Sequence, residues 1–197
     1  MTTPFTVASA WLREPVTDDD HSVGPATAPA TLVEYGDYQC PYCGMARPIV
    51  HELLRLRTRT VRYVYRHFPV ISVHPYAEMA AEAAEAAGTR GRFWRMHDWL
   101  FEHQDVLDPA HLADGVAGVG LPVDEVIDEV NNHTYRERIQ RDFVGGARSG
   151  VNGTPTFFLN DHRHIGGYSL PELLDAVDRA ADSAESDDSL VRGRWTP

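Results

Sequence analysis

The chain has 197 residues, 43% of them hydrophobic, so it can bury one sizeable core and has the composition of a globular protein. It carries 18 basic and 29 acidic side chains, which gives a net charge of −11 at pH 7. A polyanion needs a clustered cationic surface, and the arginines here are scattered among acids. We therefore expect no nucleic-acid partner.

The first twenty residues do not resemble a secretory signal, because the run 7–12 is short and mixed and the segment 18–20 is acidic. No stretch of the sequence approaches the roughly 20 apolar residues of a membrane helix. These features predict a cytoplasmic protein with no membrane partner.

The first half of the chain predicts a β-α-β unit that follows an N-terminal arm at 1–29. Prolines, aspartates and a glycine interrupt the arm, and a short apolar strand begins at Thr31. Pro41 suits the first turn of a helix that runs to about Leu56, with apolar residues at helical spacing. The alternation at 61–68 is typical of a second strand, which Pro69 ends.

The second half predicts a helical block, then a hairpin and a final helix. Helical patterns occur at 77–87, 93–101, 123–130 and 135–143. Strand signals return at 156–160 and 163–165, with Asn160-Asp161 as the turn between them. The last helix runs from Pro171 to about Ala181, and we expect the polar, acidic tail at 182–197 to be mobile.

Both cysteines of the chain lie in the sequence Cys40-Pro41-Tyr42-Cys43, shortly after the first predicted strand. A strand that leads this motif into a helix places Cys40 at the helix N-terminus, where free backbone N–H groups and the helix dipole favour a thiolate. Cys43 lies one turn further, so we expect it to be more buried and to react second. Disulfide exchange needs an attacking thiolate and a nearby resolving thiol. The motif therefore predicts a redox centre that needs no cofactor.

Two other interpretations of the cysteine pair stay open. The pair could be half of a zinc site, since the chain has ten histidines, although no further cysteine or histidine pair follows at finger spacing. It could also be inert or metal-bound in a peptide-binding module. We favour redox chemistry, because a bridge across two residues closes too small a ring to stabilise a fold much. We predict no metal ligand.

Far downstream, Pro155 opens a hydrophobic strand in the segment Gly153-Thr154-Pro155-Thr156-Phe157-Phe158. By itself this pattern is typical of a trans proline at the start of an edge strand.

Taken together, these motifs give the chain a resemblance to the DsbA-like branch of the thioredoxin superfamily. The resemblance is carried by three segments: Leu32-Val33-Glu34-Tyr35-Gly36-Asp37-Tyr38-Gln39-Cys40-Pro41-Tyr42-Cys43, Arg66-His67-Phe68-Pro69 and Val151-Asn152-Gly153-Thr154-Pro155-Thr156-Phe157. It implies an α/β, thioredoxin-like fold with an inserted helical domain. The thioredoxin-like domain would comprise 30–74 and 150–181, and the insertion 75–149.

By motif position, the resemblance implies that Cys40 is the nucleophile and Cys43 the resolving thiol. Pro41 and Tyr42 form the active-site dipeptide. Pro155 would be a cis proline against the disulfide, and Thr154 would offer backbone hydrogen bonds to substrate.

The resemblance also places Glu34 where the family keeps a buried acid, which would pass a proton to or from Cys43. An unpaired buried carboxylate is costly and has a raised pKa. An arginine partner, or exposure at the strand edge, is therefore the alternative for Glu34.

The expected substrates are protein or peptide thiols and disulfides, with glutathione or a thioredoxin-type reductant as a candidate electron partner. The Pro-Tyr dipeptide is typical of glutaredoxins, and a cytoplasmic protein meets a reducing environment. Both directions of electron flow therefore stay open.

Overall fold

The computed structural model describes residues 11–193. Within them the strands are β1 (His21–Val23), β2 (Ala30–Gly36), β3 (Val61–His67), β4 (Thr156–Leu159) and β5 (His162–Arg163). The helices are α1 (Pro41–Leu56), α2 (Ala77–Gly88), α3 (Phe93–Glu102), α4 (Pro109–Gly118), α5 (Val123–Asn131), α6 (Arg136–Arg148) and α7 (Leu170–Gly193). A short 3-10 helix, Gln104–Val106, follows α3.

The strands form a sheet in the order β1-β3-β2-β4-β5. β2 and β3 run parallel and are joined by α1, because parallel neighbours need a crossover connection, whereas the other pairs are antiparallel. Asn160 and Asp161 join β4 to β5 with φ of 44° and 70°, the left-handed backbone that a two-residue hairpin uses. The predicted α/β sheet with helices inserted between β3 and β4 is confirmed.

Successive residues of β2 point to opposite faces of the sheet. Ala30 and Leu32 enter the apolar layer formed with α1, α7 and the inserted helices. Val33 and Tyr35 enter the layer on the other face. Glu34 therefore points to the same side as Leu32, into the layer that α1 covers.

One strand and one α-helix were missed by the sequence patterns. β1 lies inside the predicted arm and is too short to show a period; pairing with β3 holds it. α4 was hidden by its two glycines, which weaken a helical pattern. One of them, Gly115, is needed because a Cβ there would lie 2.5 Å from the Trp99 ring. Asp108 caps α4 by accepting hydrogen bonds from two backbone N–H groups.

α7 continues to Gly193, so the predicted helix end near Ala181 is wrong. The composition of 182–193 suggested an irregular tail, but no proline or glycine interrupts it before Gly193, and nothing local stops the helix. The mobility of this segment and the domain boundaries stay predictions. Residues 1–10 of the predicted arm and 194–197 of the predicted tail lie outside the described residues. Among residues 11–193, no helix is long and apolar enough to cross a membrane.

Candidate active site

The two cysteines lie at the start of α1. Cys40 is the N-cap and Pro41 occupies the first helical position, as the sequence predicted. Cys40 is 4% exposed and Cys43 is fully buried. They lie 3.9 Å apart and form no disulfide. Tyr42, between them, is 60% exposed, so much of its ring is open to solvent beside the cysteine pair.

The surroundings of Cys40 favour its thiolate. A hydrogen bond from the Cys43 thiol lowers the pKa of Cys40 most, and burial opposes this change. The pKa is lowered further by a side-chain hydrogen bond from Thr154 and by the backbone N–H groups of Cys43 and Tyr42. The pKa of Cys40 is therefore about 5. Cys40 is therefore mainly ionised at pH 7.

Cys43 is the opposite case. Burial raises its pKa well above the ordinary value, and its hydrogen bond to Cys40 and the nearby charge of Glu34 raise it further. Its proton therefore stays on the sulfur while Cys40 is ionised. The two thiols of one motif have different protonation states at the same pH.

Thr154 and Pro155 lie directly before β4, which pairs with β2. The Thr154–Pro155 peptide bond, which the resemblance implied to be cis, is cis. The Thr154 carbonyl lies 3.2 Å from Cys40 Sγ and accepts its hydrogen bond when the thiol is protonated. The structure thus brings this segment against Cys40, and its contact with substrate stays a prediction.

Glu34 is 2% exposed, so exposure at the strand edge is wrong as an explanation. An arginine partner is also wrong: among the described residues, its hydrogen-bond donor is the Tyr63 hydroxyl, 2.7 Å from Oε2. Burial raises the pKa of Glu34 to about 7, although the Tyr63 hydrogen bond acts in the opposite direction. Its charge acts on Cys43, and its role in proton transfer stays a prediction.

Asp37 is a site residue that the sequence patterns did not identify. Its Oδ1 accepts a hydrogen bond from the Gln39 N–H, and its Oδ2 accepts from the Val70 N–H and from His74 Nδ1. Its backbone carbonyl accepts from the Cys40 N–H. Asp37 thus ties the turn before Cys40 to the segment after β3. The local bond to Gln39 is a common aspartate turn and could have been suspected, whereas the distant partners could not.

Gln104 also reaches this turn, from the inserted helical block. Its Nε2 donates hydrogen bonds to the carbonyls of Tyr38 and Cys40, at 2.7 and 3.0 Å. No sequence motif marked it.

In the part of the chain that the structure describes, no group of three or more His, Cys, Asp or Glu side chains could hold a metal ion.

Comparison with known proteins defines the class. The family model described as Thioredoxin matches residues 16–179, most of the chain. The chain therefore belongs to the thioredoxin family.

Relatives in sequence are longer proteins. The chain is 50% identical over 163 residues to the Na⁺/H⁺ antiporter NhaA 1 of Salinispora arenicola, a match that covers 83% of the chain and 25% of the relative. It is 36% identical over 178 residues to the Na⁺/H⁺ antiporter NhaA of Herminiimonas arsenicoxydans, covering 88% of the chain and 28% of the relative. The chain thus spans about a quarter of the length of the curated relatives it matches.

Solved structures share the fold. Oxidised BdbD from Bacillus subtilis superposes with a TM-score of 0.80 at 20% identity, over 89% of this chain and 100% of that one. A thioredoxin-like oxidoreductase from Silicibacter pomeroyi superposes with a TM-score of 0.75 at 28% identity, over 84% and 94%. α-DsbA1 from Wolbachia pipientis gives 0.76 at 20% identity, over 87% and 96%. The chain has the DsbA-like form of the thioredoxin fold.

Proposed function

We propose that the chain is a thiol-disulfide oxidoreductase that exchanges disulfides with protein or peptide thiols. The observation that carries this proposal is the opposite behaviour of the two thiols, with the pKa of Cys40 lowered to about 5 and that of Cys43 raised well above its ordinary value. The thiolate is the reactive form of cysteine, and a protonated neighbour is held in reserve. An inert structural pair has no need of this difference.

The exchange proceeds in two balanced steps. The Cys40 thiolate attacks one sulfur of a substrate disulfide; the substrate S–S bond breaks, a mixed disulfide forms, and the other substrate sulfur leaves as a thiolate that takes up a proton. Cys43 then loses its proton and attacks Cys40 Sγ. The Cys40–Cys43 disulfide forms, and the second substrate sulfur leaves. Two electrons pass from the cysteine pair to the substrate, and the reverse sequence oxidises a substrate dithiol.

Glu34 is suited to accept the proton of Cys43 in the second step. A group with a pKa near 7 both takes up and releases protons at neutral pH. Glu34 also lines a cavity of about 400 Å³ together with residues of α1 and α3, among them Val50 and His97. A cavity of this size has room for water, which would exchange the proton with solvent.

Thr154 and Pro155 would hold the substrate backbone next to Cys40, and glutathione or a thioredoxin-type reductant would supply or remove electrons. Equilibration with glutathione buffers tests the direction. A midpoint potential near about −120 to −180 mV favours disulfide donation or isomerisation, whereas one near about −270 mV favours reduction.

The cytoplasmic location stays a prediction, which fractionation of the native host tests.

A trapping experiment tests the two-step scheme. Reduced Cys43→Ser protein is mixed with a peptide disulfide, quenched with acid and analysed by mass spectrometry without reductant. We expect a stable adduct of one peptide chain on Cys40, because the resolving thiol is absent. Wild-type protein should release the peptide and lose two hydrogens.

Cys40→Ser is the matched control and should form no adduct on the same timescale. An adduct located on Cys43, or equal turnover by both serine variants, contradicts the scheme. Absence of exchange by the wild type would favour the binding module, and a zinc assay on that protein would then separate an inert pair from a metal-bound one.

A further inference from the structure

The turn 37–40, which leads into α1, must place Cys40 accurately, and its polar backbone groups are held from two sides. Asp37 accepts hydrogen bonds from two backbone N–H groups. Its side chain accepts from the Gln39 N–H, and its backbone carbonyl accepts from the Cys40 N–H. The carbonyls of Tyr38 and Cys40 are held by Gln104. Tyr38 is 1% exposed, so its backbone carbonyl needs a partner inside the protein.

Gln104 belongs to the short helix after α3, more than sixty residues from the turn. The Cys40 carbonyl also accepts the hydrogen bond from the Gly44 N–H that begins the ladder of α1, at 3.1 Å. The amide of Gln104 therefore fixes the peptide group from which the first turn of α1 starts. That turn contains the N–H groups of Tyr42 and Cys43 that face the Cys40 sulfur.

Gly44 explains how the amide reaches this position. A Cβ built on Gly44 would lie 1.9 Å from Gln104 Oε1 and 2.8 Å from its Cδ. Gly44 does not have a positive φ, so its backbone conformation does not require glycine. Glycine is disfavoured inside a helix relative to alanine. A side chain at position 44 would therefore require the Gln104 amide to leave its position.

We infer that Gln104 is a positioning residue of the cysteine site, which holds the turn 37–40 so that the N–H groups of α1 face Cys40, and that Gly44 is present to admit its amide. The inference extends the proposed function, since it assigns to the inserted helical block a part in the reactivity of Cys40. Gln104 does not touch the reacting sulfur in this account; it acts through the backbone of Tyr38 and Cys40.

A double-mutant cycle tests the inference. The variants are Gln104→Ala, Gly44→Ala and the double variant, each as the reduced 197-residue chain. The readout is the pKa of Cys40, taken from the pH dependence of its alkylation by iodoacetamide and located by peptide mass spectrometry. This measurement needs no substrate, so it does not depend on exchange activity. Thermal unfolding followed by circular dichroism checks the fold of each variant, and Gln140→Ala, on the exposed side of α6, is the control.

We expect Gln104→Ala to raise the pKa of Cys40 by roughly one unit, because the N–H groups are no longer held towards the sulfur. Alkylation at pH 5 would then slow by roughly fivefold. Gly44→Ala should give a similar shift, since its methyl group displaces the amide. In the Gln104→Ala background the same methyl group enters the space that the amide leaves, with no other atom closer than 3.3 Å, so the double variant should match Gln104→Ala alone. Gln140→Ala should match the wild type.

An unchanged Cys40 pKa in folded Gln104→Ala protein overturns the inference. Additive shifts of the two single variants also overturn it, because Gly44 would then act independently of the amide. A wild-type pKa near 8.5 would instead count against the proposed function, while the cycle would still report the coupling between Gln104 and Gly44.

Discussion

Two buried glutamates of this protein, Glu34 and Glu85, have opposite protonation behaviour. Glu34, beneath the cysteine site, has a hydrogen bond from Tyr63, and burial raises its pKa to about 7. Glu85, on α2, is also buried, but its Oε1 accepts hydrogen bonds from His21 and His67 at 2.9 and 2.8 Å. Burial opposes its ionisation, yet these two bonds prevail and the pKa of Glu85 lies well below its ordinary value.

The difference shows that partners, and not burial alone, decide what a buried carboxyl does. Glu85 is held as a fixed anion on α2 that joins His21 of β1 and His67 of β3. The Nε atom of Arg138, on α6, also lies 3.6 Å from Glu85 Oε1. Glu34 is left with a neutral donor and can change its charge near neutral pH. The protein thus uses one residue type as a structural anion in one region and as a titratable group beside the thiols in another.

The largest expected effect is on the structural side of this comparison. Glu85→Gln removes the charge to which two histidines hydrogen-bond in a buried site, and each hydrogen bond to a charged group contributes about 1.5 to 3 kcal/mol. Urea unfolding at pH 7 measures the loss. Glu52→Gln, at an exposed pair with Arg55, is the control and should change stability by no more than about 0.5 kcal/mol. Equal losses in the two variants would show that Glu85 is not a structural anion.

The next effect concerns the pH dependence of Glu34. Between its ordinary pKa of 4.5 and the folded value of about 7, the folded protein keeps the proton and the unfolded chain releases it. The contribution of Glu34 to the free energy of unfolding therefore falls as pH rises, by roughly 2 to 3 kcal/mol from pH 5 to 8. Urea unfolding of the reduced wild type and of Glu34→Gln at both pH values measures it. The free energy of unfolding of Glu34→Gln should not show this part of the decrease with pH. If the free energies of wild type and variant change in parallel between the two pH values, the raised pKa of Glu34 is contradicted.

The smallest expected effect is on the pKa of Glu34 and tests its hydrogen bond from Tyr63. Tyr63→Phe removes the donor that stabilises the charged form of Glu34, so the pKa of Glu34 should rise by roughly one further unit. Infrared titration of the carboxyl band, with Glu34→Gln subtracted, measures it. Tyr65→Phe is the matched control on the same face of β3, since the hydroxyl that donates to Glu34 among the described residues is that of Tyr63 and not that of Tyr65. A shift of equal size in the control would assign the effect to packing.

The sequence predicted those parts of the site that are encoded locally. The position of Cys40 at the start of α1 follows from a strand, a Cys-x-x-Cys motif and Pro41 in succession, and the β4–β5 turn follows from Asn160-Asp161. Contacts between distant residues leave no such pattern. The partner of Glu34 was therefore misjudged, because Tyr63 has no sequence spacing that links it to Glu34, and Gln104 was not found for the same reason.

The most direct test of the account is the pH dependence of alkylation of each cysteine in the reduced wild-type protein, followed from pH 3 to 9 by peptide mass spectrometry. The account predicts that Cys40 is modified with a midpoint near pH 5 while Cys43 stays unmodified at neutral pH. Modification of both cysteines with a common midpoint near 8.5, the value of an ordinary thiol, would contradict the assignment of Cys40 as the attacking thiolate.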